Sequence, residues 1–225
     1  FGSLVHPDWD MFQSTSLGAE LHAAARAVAG CAVYVCDEPG AHDFGLLRRL
    51  VLPCGATLRA RLPGRPTRGC LFRDVQRDCE TAARVWNHNR AGAVLGLFNL
   101  QGAAWCRVRK RFEVNDTAPP AVRAPVVPAE AELGPVMPPA EACGGVAVHL
   151  FSTGAVRVCA DPSEVAEVVT LPPGGWEVAT VAPVHASRRA ALACVGLADM
   201  LNAGGAVLGV QLRGAAARVE LVPGA

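Results

Sequence analysis

In 225 residues the chain has a single lysine, Lys110, and a single tyrosine, Tyr34. Charged side chains make up 18% of it, below the roughly one quarter usual for soluble domains, and aromatic ones 5%. With one lysine, the other 20 basic residues are arginines. That skew, with its excess of alanine and glycine, reads as GC-rich coding rather than as function. Basic and acidic side chains nearly cancel, leaving a formal net charge of +1. There is no electrostatic reason to expect nucleic acid or an anionic membrane as partner. No apolar run reaches about 18 residues without glycine, proline or charge, which argues against a membrane span. The nine cysteines, at 31, 36, 54, 70, 79, 106, 143, 159 and 194, include no C-x-x-C and are odd in number. Zinc ligands cluster and secreted disulfide frameworks come in even, tightly spaced sets, so these read as reduced, mostly buried thiols of a cytosolic protein. Phe1 to Asp8 carries neither an initiator methionine nor a signal-peptide layout, and reads as a sequence entered in the middle.

What is present is enough for one large or two small domains, since 51% of the residues are hydrophobic. The spacing predicts a helix over 19–29, stopped by Gly30. Cys31 to Cys36 follows, β-branched and apolar on both faces as a buried parallel strand is. After a turn at Asp37–Gly40, His42 to Leu52 has helical spacing closed by Pro53. Helix, buried strand and helix in that order predict the last units of an α/β barrel or a doubly wound sheet. Past Pro66 the texture changes to strands: 85–89 and 93–100 around a short turn, then 146–151, 155–159, 165–171, 176–183 and 207–212. The proline- and alanine-rich stretch 117–139 reads as a long surface loop. The expected class is therefore α/β plus all-β, divided as 1–65 and 66–225.

The segment richest in chemistry is Pro7-Asp8-Trp9-Asp10-Met11-Phe12-Gln13-Ser14. At a strand end, the period of two would put Asp8 and Asp10 on one side. Paired carboxylates on a barrel rim are the usual equipment for sugar chemistry. Asp-x-Asp is also a metal and nucleotide-sugar ligand, and Asp or Ser before a helix is often only a cap. Spacing alone leaves all three open.

PDWDMFQS, AELHAAARA, GCAVYVCDEPGAHDF, LLRRLVLP, LRARLPGRPTR, CLF, VWNHN, GAVLGLFNLQGAAWCRV, VATVAPV and VGLADMLNAGGAV together resemble the plant branch of glycoside hydrolase family 36. That branch holds raffinose and stachyose synthases and the seed-imbibition proteins, or alkaline α-galactosidases. The resemblance is weakest over 110–145, and Leu-Pro-Gly-Arg-Pro-Thr-Arg looks like the seed-imbibition branch. It implies the C-terminal units of a (β/α)8 barrel followed by an antiparallel β-sandwich incomplete at its end. It also implies a retaining mechanism with two aspartates about 5–5.5 Å apart. One forms a covalent galactosyl-enzyme and the other serves as acid and then base, so neither a metal nor an organic cofactor is implied. The partners implied are galactinol, sucrose and raffinose-type α-galactosides. The location implied is the cytoplasm, with the plastid as an alternative.

Residue by residue, the resemblance carries Asp10 and Met11 over as substrate-binding candidates, with Asp8 and Trp9 behind them. The family's nucleophile sits in a Lys-x-Asp motif that this sequence lacks, because Lys110 is followed by Arg111 and Phe112. The acid/base belongs to an Asp-Asp-Phe stretch upstream of PDWDMF. No catalytic residue is therefore expected within the chain, and residues 1–225 alone are expected to be inactive. Asp37 is either a further site residue or the holder of the Pro39-Gly40 turn. The arginines from Arg59 to Arg68 either clamp substrate or bridge two domains, the second being the more ordinary use. Trp86, Trp105 and Trp176 either stack on sugars or, more ordinarily, fill a core. His22 and His42 read as structural. Thr15-Ser16-Leu17-Gly18 replaces the family's x-His-Pro-Ala. Cys36 stands for Ser, Cys54 and Gly69 for Asp, and Leu100 for Cys, which suits a diverged paralogue. Two other function classes remain beside the galactosyl enzyme. One is a non-catalytic remnant. The other is a metal-dependent nucleotide-sugar transferase using Asp8-Trp9-Asp10.

Overall fold

The computed structural model describes residues 4–5, 8–106, 108, 111–114 and 119–225, following only the backbone at 103–106 and 111–114. Helix α1 (Ala19–Ala29) forms over the predicted span. It stops at Gly30, whose φ of 69° is left-handed. A Cβ at Gly30 would run into the carbonyl oxygens of Ala60 and Leu62, so glycine is required there for space as well as for conformation. Helix α2 (Phe44–Leu47) is a single turn, begun by the Asp43 carboxylate accepting the Leu46 N–H at 3.1 Å. The longer helix expected over His42–Leu52 does not continue. Beyond it, the chain folds back on itself, with Leu52 N–H bonded to the Ala56 carbonyl at 2.8 Å and Gly55 N–H to Leu52 at 2.8 Å.

Cys31–Cys36 differs from expectation too. Among the described residues it joins no ladder, and its one backbone bond to a distant segment is Cys36 N–H to the Phe12 carbonyl, 2.7 Å. Cys31, Val33 and Val35 turn towards the core while Ala32 and Tyr34 are exposed, so the run buries one face rather than two.

The remaining strands are β1 (Arg65–Pro66), β2 (Ala83–His88), β3 (Ala93–Phe98), β4 (Ala103–Cys106), β5 (Arg111–Val114), β6 (Val122–Val126), β7 (Cys143–Leu150), β8 (Val156–Cys159), β9 (Glu167–Leu171), β10 (Trp176–Ala186), β11 (Ala191–Leu192), β12 (Val207–Arg213) and β13 (Ala216–Leu221). Seven of them make one antiparallel sheet in the order β1-β2-β3-β10-β7-β8, with β11 on the end of β10. Three hairpin-like pairs, β4–β5, β6–β9 and β12–β13, stand beside it.

The central sheet has an apolar layer on each face, although its inner strands also bury Asn87, His149, Glu177 and Thr180. In β3, Ala93, Leu95 and Leu97 face the cluster that holds Val122, Ala124, Val126 and Leu171 of the β6–β9 pair. Val94 and Phe98 face α1, meeting Ala23, Val28, Phe12 and Leu46. That second cluster also takes in Val178 and Leu201, so residues on both sides of position 65 share one core.

The stretch 117–139 is a correction. Residues 117–118 lie outside the described part, but 122–126 is β6, followed by 3-10 turns at Pro128–Ala131 and Gly134–Val136. In β6, Val122, Ala124 and Val126 are buried while Arg123 is exposed, the alternation of a half-buried strand. Pro125 is tolerated because the pair has only two strands, which leaves an edge for a residue without N–H. Among the described residues no sheet closes or curls into a barrel, and no helix is long and apolar enough to cross a membrane.

Candidate functional site

Residues 8–14 run outside any helix or ladder, along the surface in front of α1. Phe12 and Ser14 are buried, while Asp8, Asp10 and Met11 are exposed. The chain reaches this arrangement through Asp10, which adopts a left-handed φ of 60°. Aspartate accepts that conformation more readily than most residues. The period of two expected of a strand is broken at this point. Instead, the Asp8 carboxylate accepts the Asp10 N–H at 3.1 Å through one oxygen and the Tyr34 hydroxyl at 2.9 Å through the other. The Asp8 bond pushes the Tyr34 hydroxyl above its ordinary pKa. Neither aspartate caps a helix, since the N-cap of α1 is Gly18 and makes no side-chain bond.

The segment is held from beneath by Arg26, a residue the sequence reading passed over. Arg26 is 1% exposed, among the largest fully buried side chains. Its Nη2 donates to the Asp10 carbonyl and, at 3.4 Å, to that of Trp9. Its Nη1 donates to the His22 carbonyl at 3.2 Å and lies 3.3 Å from His22 Nδ1. The guanidinium also covers the Phe12 ring, 4.7 Å from its centroid. Among the described residues its partners are carbonyls and an imidazole, not carboxylates, and Nε has none. Burial accordingly lowers the Arg26 pKa, with Asp8 among the charges that oppose the shift. Burial and the neighbouring Arg26 both lower that of His22. The helix period does contain the signal: Ala19, Ala23 and Arg26 follow i, i+4, i+7 and share the buried face.

The other end of the segment is fixed by Asp37. One of its oxygens accepts the Ser14 N–H at 2.7 Å and the other the Ser14 hydroxyl at 2.6 Å, while Ser14 Oγ accepts the Asp43 N–H at 2.8 Å. Asp37 therefore ties two loops together through Ser14; its carboxylate is not engaged with the Pro39-Gly40 turn. Trp9 is half-buried, its ring 6.1 Å from that of Phe98. Among the described residues the Asp10 carboxylate makes no hydrogen bond or ion pair. Of the two acids, it is the one left to accept a hydroxyl from solvent or from a ligand.

The remaining candidates take up structural contacts. Arg59 donates to the Gly30 carbonyl at 2.9 Å, Arg65 covers Trp86 at 5.5 Å, and Arg68 pairs with Glu132 at 3.0 Å. Trp86 is a core residue at 5% exposure, Trp176 is half-buried, and the Trp105 side chain lies outside the described part. His42 stacks on Phe44, with centroids 5.5 Å apart. Gly69 leaves space that the Arg84–Glu130 pair occupies, with N–O at 3.0 Å. Among the described residues no three His, Cys, Asp or Glu side chains gather where a metal ion could be held.

The sequence is similar to that of known proteins. The profile of the family described as "Raffinose synthase or seed imbibition protein Sip1" matches residues 1–224. A probable galactinol–sucrose galactosyltransferase 1 of Arabidopsis thaliana is 43% identical over 211 residues, covering 93% of this chain and 28% of its own length. A galactinol–sucrose galactosyltransferase of Pisum sativum is 39% identical over 226 residues, 98% of this chain and 28% of the relative. A stachyose synthase of Pisum sativum is 33% identical over 228 residues, 99% and 26%. The chain thus spans little more than a quarter of the length of these relatives.

Proposed function

The chain belongs to the raffinose synthase and seed-imbibition protein family, and on that premise we propose that it is the C-terminal portion of a retaining α-galactosyl enzyme of raffinose-family oligosaccharide metabolism. The reaction would be transfer of galactose from galactinol to sucrose, or hydrolysis when water takes the acceptor's place. Residues 1–65 would be the end of the (β/α)8 barrel and 66–225 the β-sandwich. The nucleophile and the acid/base would lie in parts of the enzyme outside residues 1–225. Asp10 and Met11 would line the galactose pocket, with Asp8 and Trp9 beside them. Asp10 would accept a sugar hydroxyl, and that bond would tighten as charge develops at the anomeric carbon.

One observation carries this reading: Arg26 draws the Asp10 carbonyl inward, while Asp10 and Met11 stay exposed. Carbonyl in and carboxylate free is the posture a pocket-lining acid needs. The test uses a complete family enzyme carrying residues 1–225 as its C-terminal part, assayed with nitrophenyl-α-galactoside and with galactinol plus sucrose. Asp10→Asn should lower turnover at least about tenfold with little effect on folding, and Asp8→Asn should lower it less. Parent-rate turnover by Asp10→Asn would remove Asp10 from the pocket. Residues 1–225 alone should show no turnover, and activity within about a hundredfold of the complete enzyme would place the chemistry on Asp8, Asp10 or Asp37.

The metal-dependent alternative meets a difficulty at Asp8, whose two oxygens already serve the Asp10 amide and Tyr34. Treating the complete enzyme with EDTA should leave its rate unchanged, and loss restored by Mn²⁺ would favour that alternative. The departures at Thr15–Gly18 favour a non-catalytic remnant as second reading, since they alter the chain between the rim segment and α1. A complete enzyme that folds yet turns over neither substrate would support it.

A further inference from the structure

Two clefts, of about 780 and 640 Å³, share Glu20, Ser152 and Trp176, and neither is lined by Asp8 or Asp10. A third, of about 330 Å³, shares Glu20 and Trp176 and runs back along Ser14–Leu21. We propose that this trough is an oligosaccharide-binding subsite, taking a chain of neutral pyranose units across the Trp176 ring.

Four features point there. Trp176 is half-buried and braced by Phe151, their centroids 5.7 Å apart, which offers a fixed apolar face of the kind sugar rings stack on. Ser152 is pinned by Glu177, which is 1% exposed and accepts both the Ser152 N–H, at 3.1 Å, and its hydroxyl. A buried carboxylate orienting a cleft hydroxyl is a built feature rather than a solvated surface. The charges lining the two clefts are mixed: Glu20, Glu167, Glu177 and Asp199 against Arg48, Arg49 and Arg157, with Arg157 paired to Glu167 at 2.8 Å and Arg49 to Glu20 at 3.9 Å. Interspersed signs suit a neutral, polyhydroxylated ligand, which can both donate and accept, and not an anion or a cation. Finally, two lobes on either side of one aromatic ring fit a chain of sugars better than a single one. Only the choice of first probe rests on the function proposed above.

The experiment is a titration of ¹⁵N-labelled residues 1–225 with raffinose, and with maltotetraose as a second neutral chain, followed by NMR. Raffinose should shift the amides of Ser152, Thr153 and Gly174 with a dissociation constant in the millimolar range. Trp176→Ala should weaken binding about tenfold. Glu20→Ala, an exposed position that leaves the core intact, should weaken it severalfold, so the outcome does not hang on the folding of the tryptophan variant. Asp10→Asn should leave these shifts unchanged, whatever becomes of the pocket assignment. Unmoved Ser152, Thr153 and Gly174 amides at about 50 mM of either sugar would overturn the subsite. So would shifts confined to residues 8–14, or affinity unchanged from the parent in both Trp176→Ala and Glu20→Ala.

Discussion

The rim segment and the central sheet are built by opposite means. In the sheet, β3 is buried at every position and is bonded along its length to β2 and β10. Each residue there has neighbours that do the same work, so the position of any one strand is determined many times over. Residues 8–14 have no ladder. Their path depends on Arg26 at one end and on the Ser14–Asp37 contact at the other. An apolar layer gives stability that is distributed and non-directional. A buried guanidinium gives direction: it aims one carbonyl and so sets which way the next side chain looks. The segment we propose as the pocket rim is the less redundant of the two.

The comparison can be broken most forcefully in the sheet. Phe98→Ala removes a ring at 1% exposure that packs against α1 and Trp9, and should cost about 3–5 kcal/mol of unfolding free energy, read from urea midpoints. A loss under about 1 kcal/mol would mean that the α1 layer is not part of the cooperative core. Arg26→Met keeps the volume and the apolar stem but leaves the carbonyls of Trp9 and Asp10 without their donor. It should cost about 1–3 kcal/mol, with faster hydrogen exchange confined to residues 8–14. Exchange rising equally in β3 and β10 would deny Arg26 its local role.

The smallest effect sharpens the contrast through pH. Burial lowers the pKa of His22, His149 and His185, helped by Arg26 at His22 and opposed by Glu177 at His149. A histidine with a lowered folded pKa binds its proton more readily in the unfolded chain. Its stabilising contribution is therefore complete above the unfolded value near about 6.5 and is lost as pH falls below it. Between about pH 7 and pH 5 the protein should lose stability, and His22→Asn should lose less of it while protecting the rim amides from faster exchange. An unchanged pH slope in His22→Asn would assign the whole loss to the two sheet histidines.

Where the sequence was readable, one physical signal dominated the segment. Ala19–Ala29 is such a case, with good helix formers followed by a glycine whose site admits nothing larger. The 83–98 hairpin is another, since both runs are apolar around a short turn. Over 117–139 signals conflicted: proline and alanine spoke for a loop, while Val122, Ala124 and Val126 carried a strand's alternation that only its partner β9 makes visible. The candidate site divides likewise. Asp8, Asp10 and Met11 stand out by motif, whereas Arg26 looks like an ordinary helix arginine until the helix period is read through it.

Family membership, the all-β character of the chain after β1 and the prominence of Asp10 were determined by the order of residues alone, because each rests on local pattern or on motif. Tertiary structure alone decided that Asp8 spends its carboxylate on Tyr34 and the Asp10 amide, that Asp37 holds Ser14, and that Arg26 sits beneath the rim. Those contacts join residues far apart in the chain. Their energies depend on burial and on the partners left available, quantities no single stretch of sequence contains.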